Sequence, residues 1–171
     1  DGYSLVRGNA IGIDDPRLNV LVKDGLMVEF VPFETEIPTV VIKTGQVKTI
    51  ITYREWNKDG DERLGSLPQQ EARWKVLVDK WLSLRGRVNL IGDCNYEYWR
   101  MVTAHHRNCQ GLKREVMERV IPRGFVQCIL EDTRHQGTQK SCLDHLYTNN
   151  AQFLDNILNK SVIGHDHNMI M

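Results

Sequence analysis

Apolar and polar residues alternate in short runs along the first third of the chain, which is the pattern of half-buried β-strands. The runs cover residues 17–23, 26–31, 39–43 and 46–53. An aspartate–glycine pair separates the first two runs, a threonine–glycine pair separates the last two, and both pairs are typical of turns. We therefore predict a meander of antiparallel strands, in which the first two runs form a hairpin.

The clearest helical pattern begins at Ser66-Leu67-Pro68-Gln69, which has the form of a capping box with proline in the first turn. Hydrophobic residues then recur at the spacing of one buried helix face; they are Trp74, Leu77, Val78, Trp81 and Leu82. Arg85-Gly86 is predicted to end this helix, because glycine is common just beyond a helix C-terminus. A second, less regular helix is predicted for residues 111–121 and ends at Pro122 and Gly124.

Three further strands are predicted in the second half of the chain. They are an apolar run at 87–91, a strand at 143–148, and a strand that runs from 162 through His167 to 171. No internal repeat and no linker divides the chain. The patterns together predict one strand-rich α/β domain with two helices.

Charge and composition narrow the classes of function. The 171 residues include 22 basic and 22 acidic ones, so the formal net charge is zero. A protein that binds nucleic acid by bulk phosphate attraction is usually basic, so any such contact here needs a local patch or a bound metal. The content of 41% hydrophobic and 26% charged residues is that of a globular protein and excludes disorder.

The sequence also indicates the compartment. No apolar run approaches the ~20 residues that span a bilayer, and the first residues lack the features of a secretory signal. We therefore expect an intracellular protein, in the nucleus or cytoplasm, with no membrane partner. The four cysteines lie far apart without a C-x-x-C pair, which favours free thiols over two disulfides or over a zinc site that includes His145.

Polar residues cluster where the apolar strand at 87–91 ends, in Gly92-Asp93-Cys94-Asn95. Because strand side chains alternate, Asp93 and Asn95 are predicted to point the same way. A carboxylate beside a carboxamide can bind a metal or activate a water while the amide orients a phosphate. The same four residues also suit a simple turn, and on their own they favour it.

Two more polar segments follow later in the chain. Asp144 lies within a predicted strand, where aspartate is disfavoured, so it either faces solvent or orients a neighbouring cation or imidazole. In Gly164-His165-Asp166-His167-Asn168, His167 is a candidate general acid or base and Asp166 is a candidate metal ligand. The alternative for this segment is a polar loop that enters a strand.

The order and spacing of the motifs G-D-x-N, L-D-H-x-Y and G-x-D-H-N resemble those of the endonuclease/exonuclease/phosphatase superfamily. Residues 51–56, followed by a loop and the helix with Gln69-Gln70 and Arg73-Trp74, resemble the endonuclease domain of non-LTR retrotransposons. The resemblance covers most of the chain. It implies an α/β (α+β) fold of two packed, mostly antiparallel β-sheets flanked by helices, the four-layer sandwich of deoxyribonucleases, with residues 1–171 as a single domain.

The resemblance implies roles for six residues. Asp93 activates the attacking water, and Asn95 and Tyr53 contact the scissile phosphate. Asp166 is associated with the metal, which is Mg²⁺ or Mn²⁺, a cation that prefers oxygen ligands. His167 also contacts the phosphate.

The sixth role falls on Asp144, which orients the imidazole of His167. A carboxylate in this position fixes the tautomer of a histidine and raises its basicity.

The chain departs from the family pattern in several places. His165 stands where the family usually has serine, and Cys94 stands where it usually has an aromatic residue. An asparagine and the principal metal-binding glutamate of the family should precede Tyr3, and neither is present. We therefore expect a fragment that lacks its N-terminal strands and its last C-terminal residues.

The implied function is Mg²⁺-dependent phosphodiester hydrolysis by a DNA-nicking endonuclease of a retrotransposon. The implied partners are DNA and a reverse transcriptase domain on the full-length polyprotein. The alternatives are a phosphomonoesterase of the same fold, of the inositol-phosphatase type, and a catalytically inactive relic. We expect these 171 residues alone to bind Mg²⁺ weakly and to nick DNA poorly.

Overall fold

A computed structural model describes residues 2–9, 17–57, 62–98, 112–153, 159–161 and 165–170. The strands are β1 (Tyr3–Arg7), β2 (Asn19–Lys23), β3 (Glu29–Phe30), β4 (Thr39–Thr44), β5 (Val47–Tyr53), β6 (Arg87–Asp93), β7 (Val126–Gln127), β8 (Arg134–Gln136), β9 (Gln139–Ser141), β10 (Asp144–Thr148), β11 (Asn159–Lys160) and β12 (Met169–Ile170). The helices are α1 (Leu67–Ser83) and the short α2 (Leu112–Glu115).

Six of the strands form the central sheet, in the order β3-β4-β5-β6-β10-β7. All neighbours in this sheet are antiparallel except β5 and β6, which run parallel. A parallel pair needs a crossover connection, and α1 lies in that connection. Three two-stranded antiparallel sheets complete the described strands: β1-β2, β8-β9 and β11-β12.

The predicted capping box and apolar face of α1 are both present. The backbone N–H of Ser66 donates to Gln69 Oε1 at 2.7 Å, and α1 begins at the next residue. The predicted face residues Trp74, Leu77, Val78 and Trp81 are fully buried, and Leu82 packs partly buried against the same core. This core includes apolar residues of β4, β5, β6 and β10, so α1 covers one face of the central sheet.

Two rings show how α1 is fixed against the sheet. The Trp81 ring packs edge-on against Phe125, with the ring centroids 4.9 Å apart, and at a tilt against Tyr147 at 5.5 Å. Burying each such aromatic side chain removes a large apolar surface from water. The strand ends that carry the polar motifs are therefore anchored to a closely packed core.

The predicted hairpin of 17–23 with 26–31 is wrong. Residues 19–23 pair with β1, from Arg7 opposite Asn19 to Tyr3 opposite Lys23. The second run contributes only β3, which pairs with β4 and is held there by an ion pair of Lys43 with Glu29 at 2.7 Å. β2 pairs with β1 over five positions, whereas β3 has two residues and could pair over two. The longer ladder gives β2 more backbone hydrogen bonds. The predicted strands at 39–43 and 46–53 are confirmed as an antiparallel pair.

The second predicted helix is present in a different form. α2 continues into a π-helical turn (Val116–Val120) and a 3₁₀ turn (Ile121–Arg123), and Gly124 follows with φ 85°. Pro122 lies inside the 3₁₀ turn and does not end the helix, because a proline near the start of a helical turn removes no hydrogen bond. The predicted first residue, Gly111, lies outside the described residues.

The predicted final strand is also interrupted. Within the described part, Met169–Ile170 pairs with Asn159–Lys160, and His167 forms only an isolated bridge with Arg134. Two backbone hydrogen bonds make this bridge: His135 N–H donates to the Asp166 carbonyl and Asn168 N–H donates to the Thr133 carbonyl, both at 2.7 Å. Residues 162–164 and Met171 lie outside the described residues.

The predicted class is confirmed as an α/β fold with mostly antiparallel strands. Among the residues that the structure describes, no helix combines the length and the apolar character needed to cross a bilayer. Cys94, Cys128 and Cys142 are free thiols, and Cys109 lies outside the described residues.

Candidate active site

Three neighbouring strands bring Tyr53, Asp93 and Asp144 to one level of the central sheet. Tyr53 is the last residue of β5 and is the register partner of Asp93, the last residue of β6. Asp93 is in turn the register partner of Asp144, the first residue of β10. Side chains of directly opposed residues lie on the same face. Residues 53, 93 and 144 therefore form a polar row at one end of the sheet.

His167 joins this row from the C-terminal segment. Its Nδ1 lies 2.8 Å from Asp144 Oδ2, and its Nε2 lies 4.0 Å from Asp93 Oδ2. The ligand atoms of these three residues all lie within 4.8 Å of one another. Since a carboxylate can only accept, Nδ1 carries the proton of this bond and Nε2 is left facing Asp93. The predicted hydrogen bond between Asp144 and His167 is present.

The glycine of the G-D-x-N motif is required by the packing of β6 against β5. A Cβ placed on Gly92 would lie 1.7 Å from the carbonyl oxygen of Thr52, a backbone atom that cannot move aside. Only glycine permits this close approach. It allows Asp93, the last residue of β6, to lie directly beside Tyr53.

The structure places Asn95 differently from the alternation expected of a strand. β6 ends at Asp93, and Asn95 has φ 50°, in the left-handed region that asparagine tolerates. Its backbone N–H donates to Asp93 Oδ1 at 2.9 Å, and its Nδ2 donates to the Arg54 carbonyl at 2.8 Å. Asn95 is thus adjacent to Asp93 through a tight turn, and the assumption that both lie in one strand is wrong.

Arg54 fixes the backbone of this turn. Its buried guanidinium donates from Nη1 to the carbonyls of Cys94 and Asn95, both at 3.1 Å. Burial lowers the pKa of Arg54 to about 10, so the side chain is still cationic at neutral pH. Sequence reasoning missed Arg54; the available signal was an arginine directly after a strand, beside the predicted Tyr53.

Electrostatics distinguish Asp93 from an ordinary aspartate. Burial, followed by the negative charge of Asp144, raises its pKa to about 6. The N–H of Asn95, then the charges of His167 and Arg134, oppose the shift. The carboxylate is therefore ionised at neutral pH, yet it is a much stronger base than a solvated aspartate.

Tyr53 lies at the same row with a half-buried ring. Burial raises the pKa of its phenol, and the charges of Asp93 and Glu55 raise it further. The hydroxyl therefore keeps its proton at neutral pH and can donate a hydrogen bond to an anionic oxygen.

Asp166 lies beside the cluster and is paired with an arginine. Arg134 Nε donates to Asp166 Oδ2 at 3.0 Å, and this hydrogen bond lowers the pKa of Asp166. The three-residue cluster of Asp93, Asp144 and His167 does not include Asp166. The association of Asp166 with a metal stays a prediction.

Thr133 was not found by sequence reasoning. Its buried hydroxyl accepts the N–H groups of Leu143 and Asp144 at 3.1 and 3.0 Å. Its carbonyl accepts the N–H of Asn168 at 2.7 Å. One side chain and its backbone thereby join the start of β10 to the segment that carries His167. No local pattern signals such a residue, because its partners are distant in the sequence.

His145, the histidine considered for a zinc site, is committed to the core. Its ring is fully buried, Nε2 lies 3.1 Å from the Cys142 carbonyl and Nδ1 lies 3.0 Å from the Tyr147 hydroxyl. Burial lowers its pKa to about 4, so it is neutral. Both ring nitrogens are used, which leaves neither for a metal.

The donor chemistry at the row fits a divalent cation. Asp93, Asp144 and the nearby Asp166 supply carboxylate oxygens, the ligands that Mg²⁺ and Mn²⁺ prefer. Burial first, and then the neighbouring Asp144 carboxylate, raise the pKa of Asp93, and a cation would favour its ionised form against both.

Comparison with known proteins gives a result at the level of structure. No family model and no curated protein matches the sequence. An AP endonuclease from Archaeoglobus fulgidus is similar with a TM-score of 0.66 and 14% identity, over 98% of this chain and 77% of that one. The endonuclease domain of TRAS1, a telomere-specific non-LTR retrotransposon, has a TM-score of 0.61 and 15% identity, over 98% and 76%.

A 3'-5' exonuclease from Neisseria meningitidis is similar as well, with a TM-score of 0.59 and 15% identity, over 98% of this chain and 77% of that one. At these identities the likeness concerns the fold. All three proteins are members of one superfamily, the one whose motifs the sequence resembles. The chain has the fold of the endonuclease/exonuclease/phosphatase superfamily.

Proposed function

We propose that this chain is a metal-dependent phosphodiesterase that cleaves DNA, and more specifically the nicking endonuclease of a non-LTR retrotransposon. The observation that carries the proposal is the geometry of one cluster. An aspartate–histidine pair at 2.8 Å lies beside a second carboxylate whose pKa is about 6. Separate groups that can position a phosphate and accept a proton are what hydrolysis of a phosphodiester needs.

In this proposal Asp93 takes the proton of the attacking water. A base is most effective when its pKa lies near the working pH, and burial beside Asp144 brings the pKa of Asp93 to about 6. The bond from the Asn95 N–H fixes one oxygen, Oδ1, and leaves Oδ2 directed toward His167. The water is therefore activated between Asp93 and the phosphate.

His167 and Asp144 act on the other side of the reacting phosphorus. Asp144 holds the Nδ1 proton of the imidazole, so that Nε2 faces the cluster. A protonated Nε2 donates to a non-bridging oxygen as negative charge builds up there. Tyr53 and Asn95 are the further proposed phosphate contacts.

Asp166 is the proposed ligand of a divalent cation, Mg²⁺ or Mn²⁺, together with the carboxylates of the row. When bound, the cation supplies positive charge to the phosphate oxygens. DNA as substrate and a reverse transcriptase domain as partner rest on the sequence motifs and on the fold shared with the TRAS1 endonuclease domain. A phosphomonoesterase and an inactive relic are the alternatives.

Nicking of supercoiled plasmid with Mg²⁺ tests the proposal. The wild-type chain is compared with Asp93→Asn, which keeps the side-chain shape but removes the base, and with Asp144→Asn. We expect Asp93→Asn to lose at least about a hundredfold in rate, the usual contribution of a general base. Asp144→Asn should lower kcat far more than it weakens DNA binding. Because this chain is expected to nick DNA poorly, slow nicking that Asp93→Asn abolishes still supports the proposal. Release of phosphate from inositol polyphosphates without nicking would favour the phosphomonoesterase, and the absence of both activities at high protein and Mg²⁺ concentrations would favour the relic.

A further inference from the structure

Arg134 occupies a position at the edge of the row that no role above accounts for. It is the first residue of β8, and its backbone forms an isolated antiparallel bridge with His167. Its side chain is about one third exposed, and its Nε donates to Asp166 Oδ2 at 3.0 Å. Backbone and side chain together hold the guanidinium beside the segment that carries His167.

The outer part of this guanidinium has no partner within the described residues. Among them, Nε makes the one hydrogen bond of the Arg134 side chain, and Nη1 and Nη2 make none. Its charge nevertheless reaches the cluster, since it lowers the pKa of Asp93. Arg134 therefore places a cationic group with two available donor nitrogens, Nη1 and Nη2, beside Asp166 and His167 at the edge of the row.

The charges around the row indicate which kind of ligand the free donors of Arg134 can bind. Three carboxylates (Asp93, Asp144 and Asp166) repel a phosphodiester. Among the described residues, the cationic side chains that offset them are Arg134, the buried Arg54, whose donors are used on backbone carbonyls, and, when protonated, His167. The planar fork of arginine binds phosphate oxygens with two parallel hydrogen bonds. A carboxylate on Nε orients the fork and leaves its other donors for an anion.

We propose that Arg134 is a substrate-binding residue that donates from Nη1 and Nη2 to a backbone phosphate of DNA, with Asp166 as the residue that positions its guanidinium. This inference rests on the proposed function and adds a specific phosphate contact to it. It also accounts for binding of DNA by a chain with no net charge, because the contact is local.

The test measures equilibrium binding separately from cleavage. Fluorescence anisotropy of a labelled DNA duplex is recorded in EDTA, so that no metal-dependent cleavage occurs, over a series of salt concentrations. The variants are Arg134→Gln, which removes the charge, and Arg134→Lys, which keeps the charge but removes the fork. Lys43→Gln is the matched control: Lys43 is likewise paired with one carboxylate, Glu29, and lies at the opposite end of the sheet.

We expect Arg134→Gln to weaken binding about tenfold, the effect of one charge-assisted hydrogen-bonded contact. The slope of log K against log[salt] should fall by about 0.9, the value for one phosphate. Arg134→Lys should keep the slope but lose part of the affinity, and Lys43→Gln should match the wild type. Thermal melting of each variant checks that it is folded. If Arg134→Gln does not fold, the affinity and salt slope of Arg134→Lys test the proposal instead.

The failure of this inference is distinguishable from the failure of the proposed function. If wild type binds and nicks DNA while Arg134→Gln binds within twofold of it at an unchanged salt slope, the role of Arg134 is rejected and the function stands. An equal loss in Lys43→Gln would likewise reject a specific contact. If wild type neither binds nor nicks DNA, both proposals are rejected.

Discussion

Asp93 has a raised pKa because burial and the neighbouring Asp144 disfavour its ionised form. The same surroundings make its carboxylate a stronger base. Its pKa is 3.8 in the absence of such surroundings and about 6 here. Since each tenfold weakening of ionisation corresponds to about 1.4 kcal/mol, ionised Asp93 destabilises the folded state by about 3 kcal/mol at neutral pH. The proposed general base therefore lowers the stability of the fold.

This predicts that Asp93→Asn is more stable than the wild type and also inactive. Between about pH 4 and pH 6 the folded state holds a proton that the unfolded state has released, so wild-type stability falls as pH rises through this range. The variant lacks this dependence and keeps the bond from the Asn95 N–H. Urea unfolding should show a gain of 1–3 kcal/mol at pH 7 that disappears near pH 4.

The control is the pH dependence itself, because a stabilisation from better packing would persist at pH 4. If Asp93→Asn were less stable than the wild type at pH 7, the raised pKa of Asp93 would be contradicted. If the gain were equal at both pH values, its electrostatic origin would be contradicted.

At the scale of elements, the row is built by strand ends and held by Thr133. β5, β6 and β10 each contribute one residue to the row. The Thr133 hydroxyl accepts the N–H groups of Leu143, just before β10, and of Asp144, its first residue. The same residue accepts the N–H of Asn168. Loss of its hydroxyl should therefore disturb the distance between Asp144 and His167 without removing either group.

Thr133→Val is expected to destabilise the protein by about 2 kcal/mol, because two buried N–H groups lose their acceptor. Thr133→Ser retains the hydroxyl and should remain close to the wild type. In urea unfolding and in nicking assays below the melting temperature, Thr133→Val should lower kcat while DNA affinity changes little. Equal stability and kcat of the two variants would show that the hydroxyl does not position the row.

Elements defined by local patterns could be predicted from the sequence. The period of α1, its capping box and the β4-β5 pair all depend on residues close together in the chain, and they are present. The pairing of β2 with β1 and the place of β10 between β6 and β7 depend on distant partners. The motifs nominated Asp93, Asp144 and His167. The available signal for Arg54 was its place directly after β5, whereas Thr133 acts on backbone groups that are distant in the sequence and leaves no local signal.

At the scale of the whole molecule, the pH dependence of the cleavage rate should follow the ionisation of Asp93. A base with a pKa of about 6 is protonated and inactive below that pH. We expect kcat/KM for plasmid nicking to rise with pH by about tenfold for each pH unit below 6, as Asp93 loses its proton. Rates measured at constant metal concentration and ionic strength from pH 5 to pH 8 check this, and a flat profile would contradict the assignment of Asp93 as the base.

The late position of His167 in the chain has a consequence for synthesis in the cell. Every strand of the central sheet lies before residue 149, whereas His167 follows and is attached through Asp144, Arg134 and the neighbouring contact with Thr133. All strands of the central sheet leave the ribosome before His167 does. During synthesis the central sheet can therefore form before the hydrogen bond of Asp144 with His167 does, which makes assembly of the cluster a late step of folding.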